Sequence, residues 1–386
     1  MQGSLSPQTR WAWAQINLGA LRQNVRLLRN LTPQNCKTMC VVKANAYGHG
    51  AVEVAKACKA AGADMFGVAT LDEGIELREA GIKEPILVLS EPPIAAIDGI
   101  LTYGIMPSIC TSEFALALGE SAAARHMSAP YHLKVDTGMN RIGVNHLDAK
   151  DFLSYIDFHK GITLQGIYTH FATADNPNDW DFALQLKRFI DCLKDIHDAG
   201  FDTGIVHCCN SAGTILHPEA HFDMVRLGTA MYGLYPSEEC AKHIELEPVM
   251  SIHARATYVK RPQIGEGVSY GLTYRLAKQV QIATLPIGYA DGLPRCASNK
   301  IDALYRGKRC RQVGTICMDQ CMLEVDSNIA RRDPLEPIEI GDEVVLVGQM
   351  GNERISMEEL AKLSNSMNIE LSSLFGIRLK RVYTQS

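Results

Sequence analysis

Lys43 closes the apolar run Met39-Cys40-Val41-Val42, so a strand through that run buries the lysine stem and leaves the amine at the strand's carboxyl end. Desolvation and nearby cations at such a position lower an amine's pKa and make it nucleophilic, which suits Schiff-base chemistry. A single lysine at a strand end more often snorkels to solvent, so its surroundings carry the weight. Polar residues recur at the ends of other apolar runs: Tyr47 and His49 beyond Lys43, then Lys134, Asp136 and Arg141, then His170, Asn210 and Ser211, and finally Arg226, Gly228 and Thr229. The segments Asn210-Ser211-Ala212-Gly213 and Arg226-Leu227-Gly228-Thr229 offer hydroxyls and backbone amides, the groups that take phosphate after the last strands of a parallel barrel. The alternative is two ordinary βα turns, and it is the joint position of the two segments that brings the phosphate reading level with it. A reactive lysine with a phosphate cup points to pyridoxal phosphate.

The elements that must position these residues follow from hydrophobic periodicity. Between about residues 38 and 235, short apolar runs alternate with amphipathic stretches, which predicts repeated βα units and a parallel sheet. Strands are expected at 38–43, 65–69, 86–89, 105–110, 132–135, 162–168, 204–207 and 224–226, with helices among them at 51–61, 71–80, 113–124 and 180–199. Thr70 and Glu73 form a capping-box pair ahead of one helix. Eight strands within about 200 residues predict an α/β fold, a (β/α)8 TIM-type barrel, in which polar residues at the carboxyl ends of the strands converge on one mouth. After Pro236 the texture becomes β-rich, with stretches 283–287, 321–325 and 343–347 and a helix at 357–364 signalled by Ser356 and Glu359. The expected organisation is an N-terminal strand in 1–14 that pairs with one of the two domains, a barrel over 15–240, and a mainly β C-terminal domain over 241–386.

Composition narrows the partners. With 38 Lys+Arg against 43 Asp+Glu and no block of like charge, neither a nucleic-acid nor an anionic-membrane surface is expected, and a small molecule is the natural ligand. The 12 cysteines lack the density of a disulfide scaffold, so reduced thiols and a cytoplasmic location are expected. Cys36/Cys40 and Cys317/Cys321 have no histidine pair at zinc-site spacing and read as core thiols, with no metal. The opening ten residues read as a flexible leader, and no apolar run reaches the roughly 18 residues that span a bilayer.

Six blocks of sequence give these residues a family likeness. Val41-Val42-Lys43-Ala44-Asn45-Ala46-Tyr47-Gly48-His49-Gly50 resembles the cofactor-lysine signature of alanine racemases, fold-type III pyridoxal-phosphate enzymes. The likeness continues, in the family's order, through 133–141, 166–172, Val268-Ser269-Tyr270-Gly271, 286–292 and Gly314-Thr315-Ile316-Cys317-Met318-Asp319. The resemblance implies racemisation of L- and D-alanine, with D-alanine destined for peptidoglycan. It implies that Lys43 bears the cofactor and is one of two bases, and that Tyr270 is the other. His170 then partners Tyr270, and Arg226 faces the pyridine nitrogen, where a guanidinium keeps its proton and restrains electron withdrawal into the ring. Arg141 holds the substrate carboxylate, and the resemblance extends to carbamylation of Lys134, whose added charge would orient that arginine. On the residues alone, Lys134 reads as the salt-bridge partner of Asp136. Tyr47, Asn210, Ser211, Gly228 and Thr229 fall to the phosphate, Met318 and Asp319 to the substrate pocket, and Tyr289 to the entry route. Relatives complete each site from the other subunit's β domain, which implies a head-to-tail homodimer.

One departure bears on substrate. Where relatives usually read Asn-Tyr-Glu, this chain reads Asn368-Ile369-Glu370, which leaves open a serine or broader amino-acid racemase of the glycopeptide-resistance kind. Isoleucine offers a serine hydroxyl no hydrogen bond, which favours alanine. Two other classes share the barrel: decarboxylases, which keep an acidic partner at the pyridine nitrogen, and single-domain barrels that bind the cofactor without catalysis and lack a β domain.

Overall fold

The computed structural model describes residues 10–176, 179–326 and 336–385, so the leader-like residues 1–9 lie outside the described part. The chain forms two compact units, one comprising 20–46 and 50–247 and the other the N-terminal residues through Gly19, Tyr47–His49 and the chain from Pro248 onward.

In the first unit eight parallel strands alternate with helices. The strands are preceded in the chain by β1 (Ala12–Asn17) and are β2 (Lys37–Val41), β3 (Met65–Val68), β4 (Ile86–Val88), β5 (Met106–Ile109), β6 (Ala129–Asp136), β7 (Ile162–Tyr168), β8 (Ile205–His207) and β9 (Met224–Leu227). The helices are α1 (Leu18–Arg29), α2 (Ala51–Ala60), α3 (Leu71–Glu79), α4 (Ile97–Tyr103), α5 (Ser112–Ala124), α6 (Ala149–Ile156), α7 (Trp180–Asp198) and α8 (Ser211–Leu216), and after the last strand a short helix, Glu238–His243. Ladders run β9-β2-β3-β4-β5-β6-β7-β8. The seam between β8 and β9 is bridged by two backbone hydrogen bonds, Asp223 N to Val206 O and Arg226 N to Cys209 O, each 3.0 Å. The sheet therefore closes as a TIM-type barrel. Met39, Met65, Leu87, Met106, Tyr168 and Met224 pack together inside it, one residue from each of six strands, which is how a barrel fills its interior instead of leaving a pore. α3 begins with Thr70 and Glu73 exchanging side-chain and backbone bonds, as their spacing predicts.

The second unit is mainly β. Its strands after β1 are β10 (Met250–Arg255), β11 (Tyr258–Lys260), β12 (Gly267–Val268), β13 (Tyr274–Arg275), β14 (Gln281–Leu285), β15 (Asp302–Tyr305), β16 (Lys308–Arg311), β17 (Cys321–Val325), β18 (Glu343–Met350) and β19 (Lys380–Thr384), with a further short strand, Glu353–Ile355, antiparallel to β18. The N-terminal strand joins this unit: β1 lies between β10 and β19 in a sheet ordered β16-β15-β18-β10-β1-β19. A three-stranded sheet, β11-β14-β17, and the β12-β13 hairpin complete it, with helices α9 (Met357–Ser364) and α10 (Asn368–Leu374). The Ser356 hydroxyl caps α9 by accepting from Glu359 N at 3.1 Å. Among the described residues no helix is long and apolar enough to cross a membrane.

Candidate active site

β2 carries Lys43 to the barrel mouth, and the chain then turns with the wrong hand. Ala44, Asn45, Ala46 and Tyr47 all have φ of 52–53°, a run of left-handed residues with no glycine. L-residues pay roughly 1–2 kcal/mol each for that conformation, so surrounding contacts must hold it. Ala46 N donates to Val42 O at 2.8 Å, Gly50 N to Asn45 O at 2.9 Å, and Ala51 N to Asn45 Oδ1 at 2.9 Å. The Lys43 amine is drawn below the ordinary lysine range, first by desolvation and then by the Arg141 guanidinium, while Glu73 opposes the shift. Tyr47 and His49 are buried in the β-rich unit, where His49 Nδ1 donates to the Tyr47 carbonyl at 3.0 Å.

Inside the mouth lies Arg226, fully buried at the end of β9. Its Nη2 donates to Thr169 O at 2.9 Å and Cys208 O at 2.8 Å and reaches His170 Nδ1 at 3.0 Å, and its Nη1 reaches His207 Nδ1 at 2.9 Å. Desolvation lowers its pKa, but a guanidinium among carbonyl acceptors keeps its proton. These contacts dictate the histidine tautomers. Arginine can only donate, so His207 Nδ1 accepts and its proton sits on Nε2, which then donates to His132 Nδ1 at 2.9 Å. Both histidines are held neutral: burial, reinforced by Arg226, pushes His132 down to about 3 and His207 well below the usual range. His170 is likewise lowered by desolvation and then by Arg226, leaving Nε2–H available at the mouth. Tyr168 stacks on His207 with ring centroids 4.7 Å apart and shares a 2.6 Å hydrogen bond with Ser108. Gly166 makes room for this array, since a Cβ there would lie 2.6 Å from His132 Cε1 and 2.5 Å from Ile205 O.

The expected Lys134–Asp136 salt bridge does not form. Lys134 points into the barrel, where Nζ donates to Val135 O at 2.8 Å and sits 5.3 Å above the Tyr168 ring. Asp136 Oδ1 instead accepts from the backbone of Gly138 and Asn140 at 3.0 and 3.1 Å, tying the turn that leads to Arg141. Desolvation first, then Arg226, brings the Lys134 amine down to about 7. Alternation along β6 decides the outcome: 134 faces the barrel interior, and the adjacent carboxylate satisfies its own loop.

The loops after β8 and β9 are knitted together. Asn210 caps α8 by accepting from Gly213 N at 2.9 Å, and the buried Ser211 hydroxyl accepts from Gly228 N at 3.0 Å and Ala230 N at 3.2 Å. Thr229, half-buried, opens the turn that follows.

In the β-rich unit Tyr270 stands 72% exposed on a loop held from below. Thr315 Oγ1 donates to Tyr270 O at 2.8 Å, and Ser269 Oγ donates to Thr315 O at 2.6 Å, from a residue with φ of 65°. The loop borders an open groove lined by Val268, Ser269, Tyr270, Cys317, Met318 and Asp319. Asp319 Oδ1 accepts from Arg378 Nη2 at 2.6 Å, and Tyr289 N donates to Cys317 O at 3.0 Å. Ile369 is half-buried in α10, its carbonyl accepting from the Ser372 and Ser373 hydroxyls.

The barrel mouth thus gathers Lys43, Lys134, Arg141, His170 and Arg226, while Tyr270, Met318, Asp319 and Tyr289 sit in the other unit. His132, His207, Tyr168 and Ser108 were not singled out from sequence. Their signal was present as polar residues embedded in otherwise apolar strands. A closed parallel barrel with a desolvated lysine and a buried arginine at its carboxyl mouth defines a class of cofactor-binding barrel enzymes. Residues 16–236 match the alanine racemase N-terminal domain family and residues 249–383 the alanine racemase C-terminal domain family. An alanine racemase of Symbiobacterium thermophilum is 42% identical over 96% of this chain and 96% of its own length, and one of Carboxydothermus hydrogenoformans is 42% identical over 96% and 99%. Among solved structures, the Bacillus anthracis alanine racemase with bound L-Ala-P superposes with a TM-score of 0.91 at 36% identity, covering 98% of this chain and 96% of that one. The chain belongs to the alanine racemase family.

Proposed function

We propose that Lys43 and Tyr270 are the two bases of a racemase that interconverts L- and D-alanine, with pyridoxal phosphate carried on Lys43. The family is pyridoxal-phosphate-dependent, and the activity of its members is alanine racemisation. The residues fit this cofactor. Among the described residues no carboxylate lies within ion-pair distance of Arg226, whose donors suit an acceptor such as a pyridine nitrogen, and this is the observation that carries the reading. It also separates the chain from decarboxylases, which place an acid at that nitrogen. When bound, the cofactor supplies the electron sink that makes the substrate's α-proton acidic.

The chain's own groups do the rest. Desolvation and the Arg141 guanidinium lower the pKa of the Lys43 amine, which favours its basic form for taking a proton at Nζ. Arg226 would hold the pyridine nitrogen, to which a guanidinium would donate without giving up its proton, so simple proton exchange would be favoured over transamination. Arg141 binds the substrate carboxylate, and Asn210, Ser211, Gly228, Thr229 and Tyr47 hold the phosphate. Lys134, with an amine brought down to about 7, is basic enough yet deprotonated enough to take up carbon dioxide as a carbamate that would orient Arg141. Tyr270 protonates the opposite face, with His170 Nε2 as its partner, and Met318, Asp319 and Tyr289 shape the pocket and its entry. The exposed Tyr270, beside a groove that also holds Cys317, Met318 and Asp319, supports a head-to-tail homodimer in which one protomer's β domain completes the other's barrel. In this reading 15–240 is the cofactor barrel and 241–386 the completing domain. The product D-alanine serves peptidoglycan synthesis.

Chiral chromatography of L-alanine and L-serine incubated separately with the enzyme tests the substrate. D-alanine should form and D-serine should not, and faster serine conversion would overturn the assignment. Borohydride treatment should fix the cofactor to the peptide containing residue 43, and Lys43→Ala should abolish both. Mixing Lys43→Ala with Tyr270→Ala should restore activity through subunit exchange; persistent inactivity would refute shared sites.

A further inference from the structure

We propose that Glu73 is a positioning residue for Lys43: its carboxylate ties down the left-handed turn after the lysine and so aims the amine into the barrel mouth. The inference rests on the reading of Lys43 as the cofactor lysine.

By spacing alone Glu73 belongs to the capping box of α3, in which a single bond to the N-cap amide suffices. The geometry gives it more. Oε1 accepts from Ala44 N at 2.6 Å, and Oε2 accepts from Ala69 N at 2.7 Å. The capping bond from Thr70 N, at 3.3 Å, is the longest of the three, and the reciprocal bond from Glu73 N to Thr70 Oγ1 is 3.4 Å. Ala44 follows Lys43 beyond β2, and Ala69 follows β3, so one carboxylate bridges the carboxyl ends of two neighbouring strands at the mouth. Ala44 is also the first of the four left-handed residues, the point where the chain leaves the strand. Its amide donates to the Glu73 carboxylate, and a charged acceptor there gives a strong, short bond. The same negative charge faces the Lys43 amine, opposing Arg141 and the burial that lower its pKa, while His170 approaches from β7 as a neutral ring. Glu73 therefore acts on Lys43 both by orientation and by charge.

The test uses the full-length chain and three variants, Glu73→Gln, Glu73→Ala and Thr70→Val. The readouts are the rate at which added pyridoxal phosphate becomes borohydride-trappable at residue 43, the pH midpoint of acetic anhydride labelling of Lys43 before cofactor is added, and the thermal midpoint. Thr70→Val removes the capping hydroxyl and should lower only the thermal midpoint. Glu73→Ala should slow attachment about tenfold or more, as misplacement of a reacting group does. Both Glu73 variants should shift the labelling midpoint to lower pH, because the charge that raises it is gone. Glu73→Gln keeps the size of the side chain and an oxygen for Ala44 N, so it should fold and attach cofactor at an intermediate rate. If the Glu73 variants attach cofactor at the unsubstituted rate with an unchanged midpoint, Glu73 is a helix cap and the proposal is overturned. If the unsubstituted chain traps no cofactor at residue 43, the assignment of Lys43 fails, a result separate from any difference among variants.

Discussion

The neutral pair His132 and His207 makes barrel stability a function of pH in a calculable way. Both rings are fully buried and titrate far below their unfolded value of about 6.5. A depressed histidine favours the proton-poor folded state, so its contribution is fully present above pH 6.5 and is lost as pH falls toward the folded value. At pH 5.5 each unfolded ring is about 0.9 protonated while its folded counterpart is neutral, so unfolding takes up about two protons at this pair, and the loss relative to pH 7.5 is about 1.4 kcal/mol per histidine. Urea unfolding in a pH-stat at the two pH values measures the uptake directly. His132→Gln and His207→Gln should each remove about one proton from the uptake at pH 5.5 and flatten the stability difference accordingly, whatever their effect on absolute stability. Variants that leave the uptake unchanged would show that the ring is charged in the fold, and the tautomer chain dictated by Arg226 would be wrong.

Further expectations follow from single atoms. Gly166→Ala would push a Cβ into His132 and the Ile205 carbonyl, costing about 1–3 kcal/mol in urea unfolding and weakening cofactor retention through the displaced His207 and Arg226. Ser211→Ala would orphan the Gly228 and Ala230 amides, at about 1–3 kcal/mol for each that water cannot reach, and equilibrium dialysis should show weaker cofactor binding. Gly314→Ala, at φ 75° and with a Cβ 2.6 Å from Val268 O, should displace the Tyr270 loop and lower kcat at least about tenfold, while the borohydride-trapped cofactor at Lys43 remains.

The sequence by itself determined the barrel and the β-rich domain, because these reside in local signals. Strands as short as Ile86–Val88 were legible as apolar runs, the cap of α3 as a spacing of three, and Lys43 as a charge ending an apolar run. Tertiary structure decided which way each side chain faces and what meets it across the barrel. Lys134 and Asp136 look like a pair in the chain, but β6 turns the lysine inward over Tyr168 and leaves the carboxylate to its own loop. His132 and His207 are 75 residues apart and meet only because β6 and β8 flank β7, whose Gly166 has no side chain to part them. Glu73 reads as a cap, yet its closest bond is to the residue after Lys43, 29 positions back, because parallel neighbours bring their ends to the same rim. Periodicity is carried by residues near in sequence; a hydrogen-bond partner across a closed sheet exists only once closure has set the strands side by side.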